Sequence, residues 1–157
     1  MPSIQVLNRQ RKKQLDHRAL QSFAVAALDA VARVPENKPL PEEILIVFVS
    51  DSRIAEIHRD FMAVDGATDV ITFQHGEVFI SVETADRQSK EMETSFDHEV
   101  RLYILHGLLH LAGYDDLTES GFREMSEKQE HLLHLLQTSN ASSNATSPHR
   151  SQIRTNL

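Results

Sequence analysis

The chain has 157 residues, of which 40% are hydrophobic, and it carries a formal net charge of −7. This length suits one compact domain with a sizeable core, and the acidic balance argues against a protein that coats nucleic acid with a broad basic surface. Cysteine is absent, which excludes disulfides and thiolate ligands, so any metal must be bound by nitrogen and oxygen. No apolar run is long enough to cross a bilayer or to serve as a secretory signal, and we therefore expect a cytoplasmic protein.

Hydrophobic periodicity divides the chain into helices and strands. Apolar residues at intervals of three and four mark the helices, and short runs of β-branched and aromatic residues mark the strands. In chain order the predicted elements are a helix over residues 13–33, a strand over 44–49, a helix over 52–62, strands over 70–73 and 77–81, and helices over 96–112 and 118–137. The polar residues 82–94 predict no definite element, although part of them can form a helix.

These elements predict an α/β (α+β) fold, with a small central mixed sheet of about four strands packed by several helices. A single domain is expected over residues 1–137. Residues 138–157 are dominated by Ser, Thr and Asn, a composition typical of a disordered C-terminal tail. Phe61 and Phe122 continue the apolar stripes of their helices and are expected to face the core.

One predicted helix carries two histidines and is followed by two acids. His106 and His110 are four residues apart, so a helix presents both imidazoles on one face, with Cβ atoms roughly 5 to 6 Å apart. Two nitrogens at that distance can share one divalent ion. Gly113 is a natural stop for this helix, and it lets the chain reverse so that Asp116 returns toward the same face. The spacing predicts a metal site formed by His106, His110 and Asp116, on and just after a central helix.

The third ligand and the type of enzyme leave alternatives open. Asp115 is an alternative to Asp116 as the third ligand. It is less favoured because only one residue separates it from Gly113, which leaves less chain to bring its side chain back to the two histidines. The spacing matches that of metzincin metalloproteases, in which two histidines and a helix-ending glycine precede a third ligand. Gly107 stands where such a protease carries its general-base glutamate. A zincin-like metallopeptidase is therefore a rival interpretation, but not the favoured one.

Several blocks of sequence resemble the YbeY endoribonucleases, a family of bacterial ribosomal RNA maturation factors. The resemblance covers most of residues 40–130. The strongest block is His106-Gly-Leu-Leu-His110-Leu-Ala-Gly-Tyr-Asp-Asp116, which resembles the family's His-Gly-x-Leu-His-Leu-x-Gly-Tyr-Asp-His. A second block, Thr68-Asp-Val-Ile-Thr-Phe73, resembles the family's Thr-Asp-Val-Leu-Ser-Phe. The strand Gly76-Glu-Val-Phe-Ile-Ser81 and the single residues Arg59 and Glu99 also have counterparts in the family. A chance match to all of these segments is improbable.

The resemblance implies a zinc-dependent endoribonuclease, specific for single strands, that acts in late maturation of the 3′ end of 16S rRNA and in ribosome quality control. Its expected partners are ribosomal RNA, the small ribosomal subunit and the associated proteins, with no membrane. Arg59 stands where the family carries a functionally important arginine and is the expected catalytic residue, matched to phosphate oxygens by its paired donors. Asp116 replaces the family's third histidine. Zinc accepts a carboxylate oxygen, but another divalent metal becomes relatively more acceptable.

Other residues and one other function have weaker claims. Asp69 can orient a metal-binding histidine or, in the favoured interpretation, cap the turn that follows it. Glu99 and His98, about two turns before His106 on the same helix, can border the pocket. The five cations in residues 9–18 are expected on a solvated terminus or helix rather than in a phosphate-binding patch. A non-catalytic ribosome-associated module with a structural metal is the remaining rival, although structural zinc normally has four protein ligands.

Overall fold

The computed structural model describes residues 1–143 of the chain, and these form a four-stranded mixed sheet surrounded by helices, the fold class that the sequence predicts. The strands are β1 (Ser3–Asn8), β2 (Glu43–Val49), β3 (Val70–Thr72) and β4 (Glu77–Ser81). The helices are α1 (His17–Ala32), α2 (Asp51–Met62), α3 (Val82–Glu91), α4 (Phe96–Leu111) and α5 (Glu119–Ser143). No helix in this part of the chain is long and apolar enough to cross a membrane.

The sheet has the strand order β1-β2-β4-β3. β1, β2 and β4 run parallel, whereas β3 pairs antiparallel with β4 and forms one edge. One row of paired residues crosses the whole sheet, from Asn8 through Phe48 and Ile80 to Val70. The segment that follows β1 and the segment that precedes β3 therefore lie at the same end of the sheet, on its two opposite edges.

β1 is missing from the strands that hydrophobic periodicity predicts. It is an edge strand in which only Ile4 and Val6 are buried. Two buried residues give too short an alternating pattern to predict a strand. Parallel pairing with β2, from Ser3 opposite Glu43 to Asn8 opposite Phe48, holds it in place. Strand formation here depends on this tertiary pairing, which the local sequence does not show.

The helices cover the two faces of the sheet unequally. On one face, α1, α4 and α5 bury their apolar side chains against the sheet in the larger core cluster. On the other face, α2 packs Ile54 and Ile57 against Val47, Val49 and Ile71 in a smaller cluster. Twelve of the sixteen residues of α4 are buried, which makes it the central helix. Close packing on nearly all sides holds the side chains of α4 in one geometry.

α3 occupies most of the polar stretch over 82–94. It is tied to the start of α2 by Asp51, whose carboxylate accepts hydrogen bonds from Ser81 Oγ at 2.6 Å, Thr84 Oγ1 at 2.8 Å and Arg87 Nη1 at 2.6 Å. Burial alone would raise the pKa of Asp51, but these hydrogen bonds outweigh it and the pKa is lowered. The helix is stabilised by partners thirty or more residues away, which explains why its own sequence is ambiguous.

Two aromatic residues that were expected in the core are exposed instead. Phe61 is 70% exposed and Phe122 is 59% exposed. Phe61 lies in the last turn of α2, past the buried part of that helix, and its ring packs edge-on against Phe73 with centroids 5.5 Å apart. Phe122 lies in the first turn of α5, before the helix reaches the core with Met125. In both helices the apolar stripe extends beyond the surface that covers it.

The last helix is longer than predicted. α5 extends to Ser143, into the segment expected to be a disordered tail. Helix propagation from the buried turns at Met125 and Leu133 adds one hydrogen bond per residue, so a polar sequence can continue the helix for a few turns. Residues 144–157 of the predicted tail lie outside the described part of the chain.

Candidate metal centre

α4 presents the two predicted histidines on one face, one turn apart. The Nε2 atoms of His106 and His110 lie 3.2 Å apart, and the two rings meet edge-on. Asp116 completes the group, with Oδ2 at 3.7 Å from His106 Nε2 and Oδ1 at 3.7 Å from His110 Nε2. All three ligand atoms lie within 4.8 Å of one another, so this group could hold a metal ion.

The turn after α4 returns the chain toward the histidines. Gly113 has a φ of +105°, which glycine adopts readily, and its N–H donates to the His110 carbonyl at 3.1 Å. Tyr114 then fixes the turn against a neighbouring loop, since its hydroxyl donates to Asn37 Oδ1 at 2.8 Å. The turn is therefore held at Gly113 by a hydrogen bond to α4 and at Tyr114 by a hydrogen bond to Asn37.

The two acids after this turn point to different places. Asp115 Oδ1 accepts the backbone N–H of Leu117 at 3.1 Å, in the approach to α5. Asp116 directs its carboxylate at both histidines. The structure thus brings Asp116 to the pair, and Asp115 is occupied by the local turn.

The imidazole of His106 is oriented by a hydrogen bond on the side of its ring that faces away from His110. His106 Nδ1 lies 2.9 Å from Oε1 of Gln129 on α5. Because an amide oxygen can only accept, this contact places the ring proton on Nδ1 and the lone pair on Nε2. Burial and the neighbouring His106 lower the pKa of His110, which favours the neutral form that binds metals.

Gln129 is a residue that sequence reasoning missed. It lies on the inward side of α5, between the buried Met125 and Leu133. A polar side chain within an apolar stripe is a signal that something polar faces it. The identity of that partner on α4 follows only from the tertiary packing of the two helices.

The donor set suits an ion such as zinc. Ligands at roughly 2.0 to 2.2 Å from a tetrahedral ion lie about 3.3 to 3.6 Å apart. The two Nε2 atoms lie 3.2 Å apart, each Asp116 oxygen lies 3.7 Å from one of them, and one ligand atom from each residue can be chosen so that all three lie within 4.8 Å. Two neutral imidazoles and one carboxylate leave a divalent ion with a formal charge of +1. Three protein ligands leave one tetrahedral position for water or substrate, the arrangement typical of catalytic zinc sites.

The group opens into a cleft of about 340 Å³. Its walls are the segment entering β3, the middle of α4 and the first turns of α5. Besides the three ligand residues, the lining consists of Thr68, Asp69, Val70, Tyr103, Phe122, Met125, Ser126 and Gln129. Burial, followed by the negative charge of Asp69, raises the pKa of Tyr103, so its hydroxyl stays protonated. The exposed ring of Phe122 forms part of the mouth.

A larger hollow of about 1190 Å³ lies at the amino ends of β1, β2 and β4. Its lining includes the carboxylates of Glu42, Glu43 and Glu77 and contains no lysine or arginine. Three carboxylates repel a phosphate group. The metal cleft is likewise lined by carboxylates, those of Asp69 and Asp116, and by no lysine or arginine. An ion bound to its three ligands would supply the positive charge that the hollow lacks, which makes the cleft the better site for an anionic substrate despite its smaller volume.

Gly107, between the two histidines in sequence, faces the sheet. A Cβ atom at this position would lie 2.5 Å from Val78 Cγ1 on β4, so α4 and β4 approach too closely for any side chain here. The glutamate that serves metalloproteases as general base cannot occupy this position in the present packing. This contact gives a physical reason for the glycine and counts against the metallopeptidase interpretation.

The expected catalytic arginine is not in the cleft. Arg59 lies in the last turn of α2, where its exposed side chain pairs with Asp60 at 3.4 Å, and it is not among the lining residues. Asp69 does line the cleft, but its carboxylate accepts the Val70 N–H at 2.7 Å. That contact corresponds to the turn-capping role, and the partner of the His106 ring is Gln129 instead.

Two further candidates on α4 lie away from the cleft. Glu99 is buried and accepts a hydrogen bond from Thr94 Oγ1 at 2.8 Å. His98 is also buried, and its Nδ1 has no hydrogen-bond partner among the described residues. Neither lines the cleft. Both side chains belong to the packing around the first turns of α4.

Comparison with known proteins agrees with this architecture. The model of the family described as Endoribonuclease YbeY matches residues 5–137. Endoribonuclease YbeY of Protochlamydia amoebophila is 35% identical over 127 residues, which cover 72% of this chain and 85% of the relative. The Alkaliphilus metalliredigens protein of the same name is 31% identical over 146 residues, which cover 83% of this chain and 93% of the relative.

The fold also has a solved counterpart. The solution structure of a Thermotoga maritima protein superimposes with a TM-score of 0.62 at 24% identity, covering 90% of this chain and 93% of that one. At this identity the likeness concerns the fold alone. The family match and the curated relatives support more than the fold, because they extend over nearly all of the residues that the structure describes. The chain belongs to the endoribonuclease YbeY family.

Proposed function

We propose that the chain is a metal-dependent endoribonuclease whose ion is held by His106, His110 and Asp116. The observation that carries this proposal is a group of three potential ligands that opens into a cleft, because a structural zinc site is normally closed by four. Family membership supports RNA as the substrate, since the relatives are named endoribonucleases. The catalytic domain in this proposal comprises residues 1–137.

The side chains around the ion have separable tasks. A zinc ion bound here would supply Lewis acidity toward a phosphate oxygen and would lower the pKa of a bound water. Gln129 holds the His106 ring with its Nε2 lone pair toward the other ligands. Asp116 adds a negative charge that a third histidine would not, so harder ions such as Mn²⁺ compete better here. Tyr103 keeps a protonated hydroxyl at the cleft wall.

The mouth of the cleft supports a preference for single strands. Phe122 offers an exposed aromatic face beside the three ligands. An unpaired base can stack on such a ring, whereas the bases of a duplex are already stacked on their neighbours. A cleft of about 340 Å³ also accommodates one strand more readily than a double helix. We therefore propose single-stranded RNA as the substrate.

Arg59 stays our candidate for contact with the phosphate. Its side chain and that of its partner Asp60 are 58% and 57% exposed and lie 3.4 Å apart, and an exposed pair of this kind is weak. A phosphate can displace the carboxylate, because its oxygens match the paired donors of a guanidinium. The loop after α2 leads directly to Thr68 at the cleft.

Charge reversal at Arg59 tests this role. Arg59→Glu should abolish cleavage of single-stranded RNA without changing the metal content. Arg53→Glu, a reversal two turns earlier on the same helix at a residue paired with Glu56, is the matched control and should cleave normally. Wild-type cleavage by Arg59→Glu would remove this arginine from the mechanism.

At the cellular level we propose late maturation of the 3′ end of 16S rRNA and ribosome quality control in the cytoplasm, with zinc as the ion. The small ribosomal subunit and its associated proteins are the partners in this proposal. Its support is the resemblance of the three sequence blocks and the family match over residues 5–137. Loss of the protein should leave 16S rRNA with an unprocessed 3′ end, which primer-based mapping of rRNA ends would detect.

The activity itself is tested with purified protein and two RNAs of one sequence, single-stranded and annealed to a complement. Cleavage should be confined to the single strand, stop with a chelator and return when zinc is added. Casein in parallel tests the metallopeptidase alternative. Bound metal without RNA cleavage would instead favour the structural-metal module.

A further inference from the structure

The segment from Arg9 to Arg18 carries four cations that form no ion pair with any carboxylate in the described part of the chain, residues 1–143. Arg9, Arg11, Lys12 and Arg18 are all exposed. The chain contains sixteen Lys and Arg residues. Two of them, Arg150 and Arg154, lie beyond residue 143, which leaves fourteen in the described part of the chain. Eight of these fourteen form ion pairs with carboxylates, namely Lys13, Arg33, Arg53, Arg59, Arg87, Lys90, Arg101 and Arg123. Four of the other six are therefore in this one segment.

The side chain of Gln10 makes four hydrogen bonds that order the turn after β1. Gln10 Oε1 accepts the N–H groups of Lys12 and Lys13 at 2.7 and 2.9 Å. Its Nε2 donates to the Lys13 carbonyl at 2.9 Å and to Asn8 Oδ1 at 2.8 Å. The side chains of Arg11 and Lys12 are thus presented to solvent from an ordered turn.

Lys13 fixes the far end of the turn to the body of the protein. Its ammonium lies 3.2 Å from Asp86 Oδ1 and 5.1 Å from the centre of the Phe96 ring. The ion pair accounts for the lowered pKa of Asp86, to which the Lys13 hydrogen bond contributes most. The turn therefore holds the neighbouring cations Arg11 and Lys12 on an ordered backbone, and an anion bound beside them would offset the repulsion between like charges.

This basic turn and the metal cleft lie at the same end of the sheet. Asn8, next to Arg9, is in the row that passes through Phe48 and Ile80 to Val70, and Val70 lines the cleft. Three strand spacings of about 4.8 Å separate the two ends of this row, or roughly 14 Å. A short length of single-stranded RNA covers that distance.

We propose that the basic turn, with Arg9, Arg11 and Lys12, binds the phosphate backbone of the RNA outside the nucleotides held in the cleft, together with Arg18 in the first turn of α1. This inference rests on the proposed endoribonuclease function and deepens it. A chain with a net charge of −7 repels a polyanion over most of its surface, so a localised basic patch is needed to hold the substrate. Contacts of this kind contribute affinity without sequence preference and are sensitive to salt.

The test compares two double variants that remove the same charge. Arg11→Gln with Lys12→Gln acts on the turn, and Arg33→Gln with Arg53→Gln removes two paired cations elsewhere. Binding to a single-stranded RNA of about 16 nucleotides and to a dinucleotide, which is too short to reach from the cleft to the turn, is measured by fluorescence anisotropy over a range of salt, together with cleavage. The turn variant should bind the longer RNA roughly tenfold more weakly, with a salt slope smaller by about 1.4, corresponding to two phosphate contacts.

Binding and cleavage of the dinucleotide should be equal in the turn variant, the control variant and the wild type. Equal affinity of both double variants for the 16-nucleotide RNA would overturn the inference, even if cleavage is normal. If no variant and no wild-type sample cleaves RNA, yet the turn variant alone binds the longer RNA weakly, the proposed function fails while the basic turn stands as an RNA contact.

Discussion

At the residue scale, Gln129 matters for metal binding although it is not one of the three ligand residues. Its oxygen accepts the Nδ1 proton of His106 at 2.9 Å, and outer hydrogen bonds of this kind typically contribute about 10- to 100-fold to metal affinity. We expect Gln129→Ala to lower zinc affinity by that factor and Gln129→Glu to retain it, because a carboxylate also accepts the proton. Competition with a chromophoric chelator measures this, with Glu130→Ala, an exposed neighbour, as control. Unchanged affinity in Gln129→Ala would mean that packing alone holds the ring.

Phe122 shows how an exposed aromatic residue can be assigned a role by its surroundings. If it stacks on a base, Phe122→Leu should raise the KM for single-stranded RNA by about tenfold or more, since such stacking contributes about 1–3 kcal/mol per base. Phe122→Tyr should restore the KM, and kcat should change little in either variant. Phe61→Leu removes another exposed ring, outside the cleft, and should behave like the wild type. An unchanged KM in Phe122→Leu would count against stacking at this position.

At the element scale, the close approach of α4 to β4 depends on Gly107, which has no side chain to separate the helix from the strand. Alanine inside a helix is normally more stable than glycine by about 1 kcal/mol. At Gly107 the sign should reverse, because the new Cβ would lie 2.5 Å from Val78 Cγ1, and overpacking costs about 1–3 kcal/mol. Urea unfolding of Gly107→Ala, Val78→Ala and the double variant should show that the double variant loses less than the two single losses added. Stabilisation by Gly107→Ala would contradict the close approach.

The Asp51 carboxylate links the starts of α2 and α3, and its lowered pKa makes that link dependent on pH. A carboxylate whose pKa is lower in the folded state stabilises the fold above the ordinary value of 3.8, and the stabilisation is lost as the pH falls through the folded value. Asp51→Asn should therefore unfold more easily at pH 7, by about 1–3 kcal/mol. The difference from the wild type should shrink as the pH falls below about 4. A difference that stays constant with pH would exclude the carboxylate charge as its cause.

The same scale separates what the sequence predicts from what it does not. Helices α1, α2, α4 and α5 and strands β2, β3 and β4 were predicted, because their buried faces carry long or strongly β-branched apolar patterns. β1 was not predicted, because only two of its residues, Ile4 and Val6, are buried and give an apolar pattern. α3 was left ambiguous, because the contacts that stabilise it come from Asp51, which is distant in sequence. Phe61 and Phe122 were misplaced because periodicity shows which face of a helix is apolar but not where its partner surface ends.

At the scale of the whole molecule, some residues of the candidate site could be predicted from the sequence and others could not. His106, His110 and Asp116 lie within eleven residues, so helix geometry and one glycine turn were enough to predict that they meet. Gln129, Tyr103 and the β3 edge come to them from other elements, and only tertiary packing brings them there. Arg59 remains a proposal that depends on family resemblance, since its contacts do not reach the cleft.

The joint measurement of metal content and RNA cleavage on the same purified samples tests the central claim most directly. Mass spectrometry should find about one divalent ion per wild-type chain, and that sample should cut single-stranded RNA. His110→Ala should lose most of the metal and the cleavage together, while circular dichroism shows an intact fold. RNA cleavage by wild-type protein that contains no metal, or by His110→Ala at the wild-type rate, would contradict a catalytic centre built on His106, His110 and Asp116.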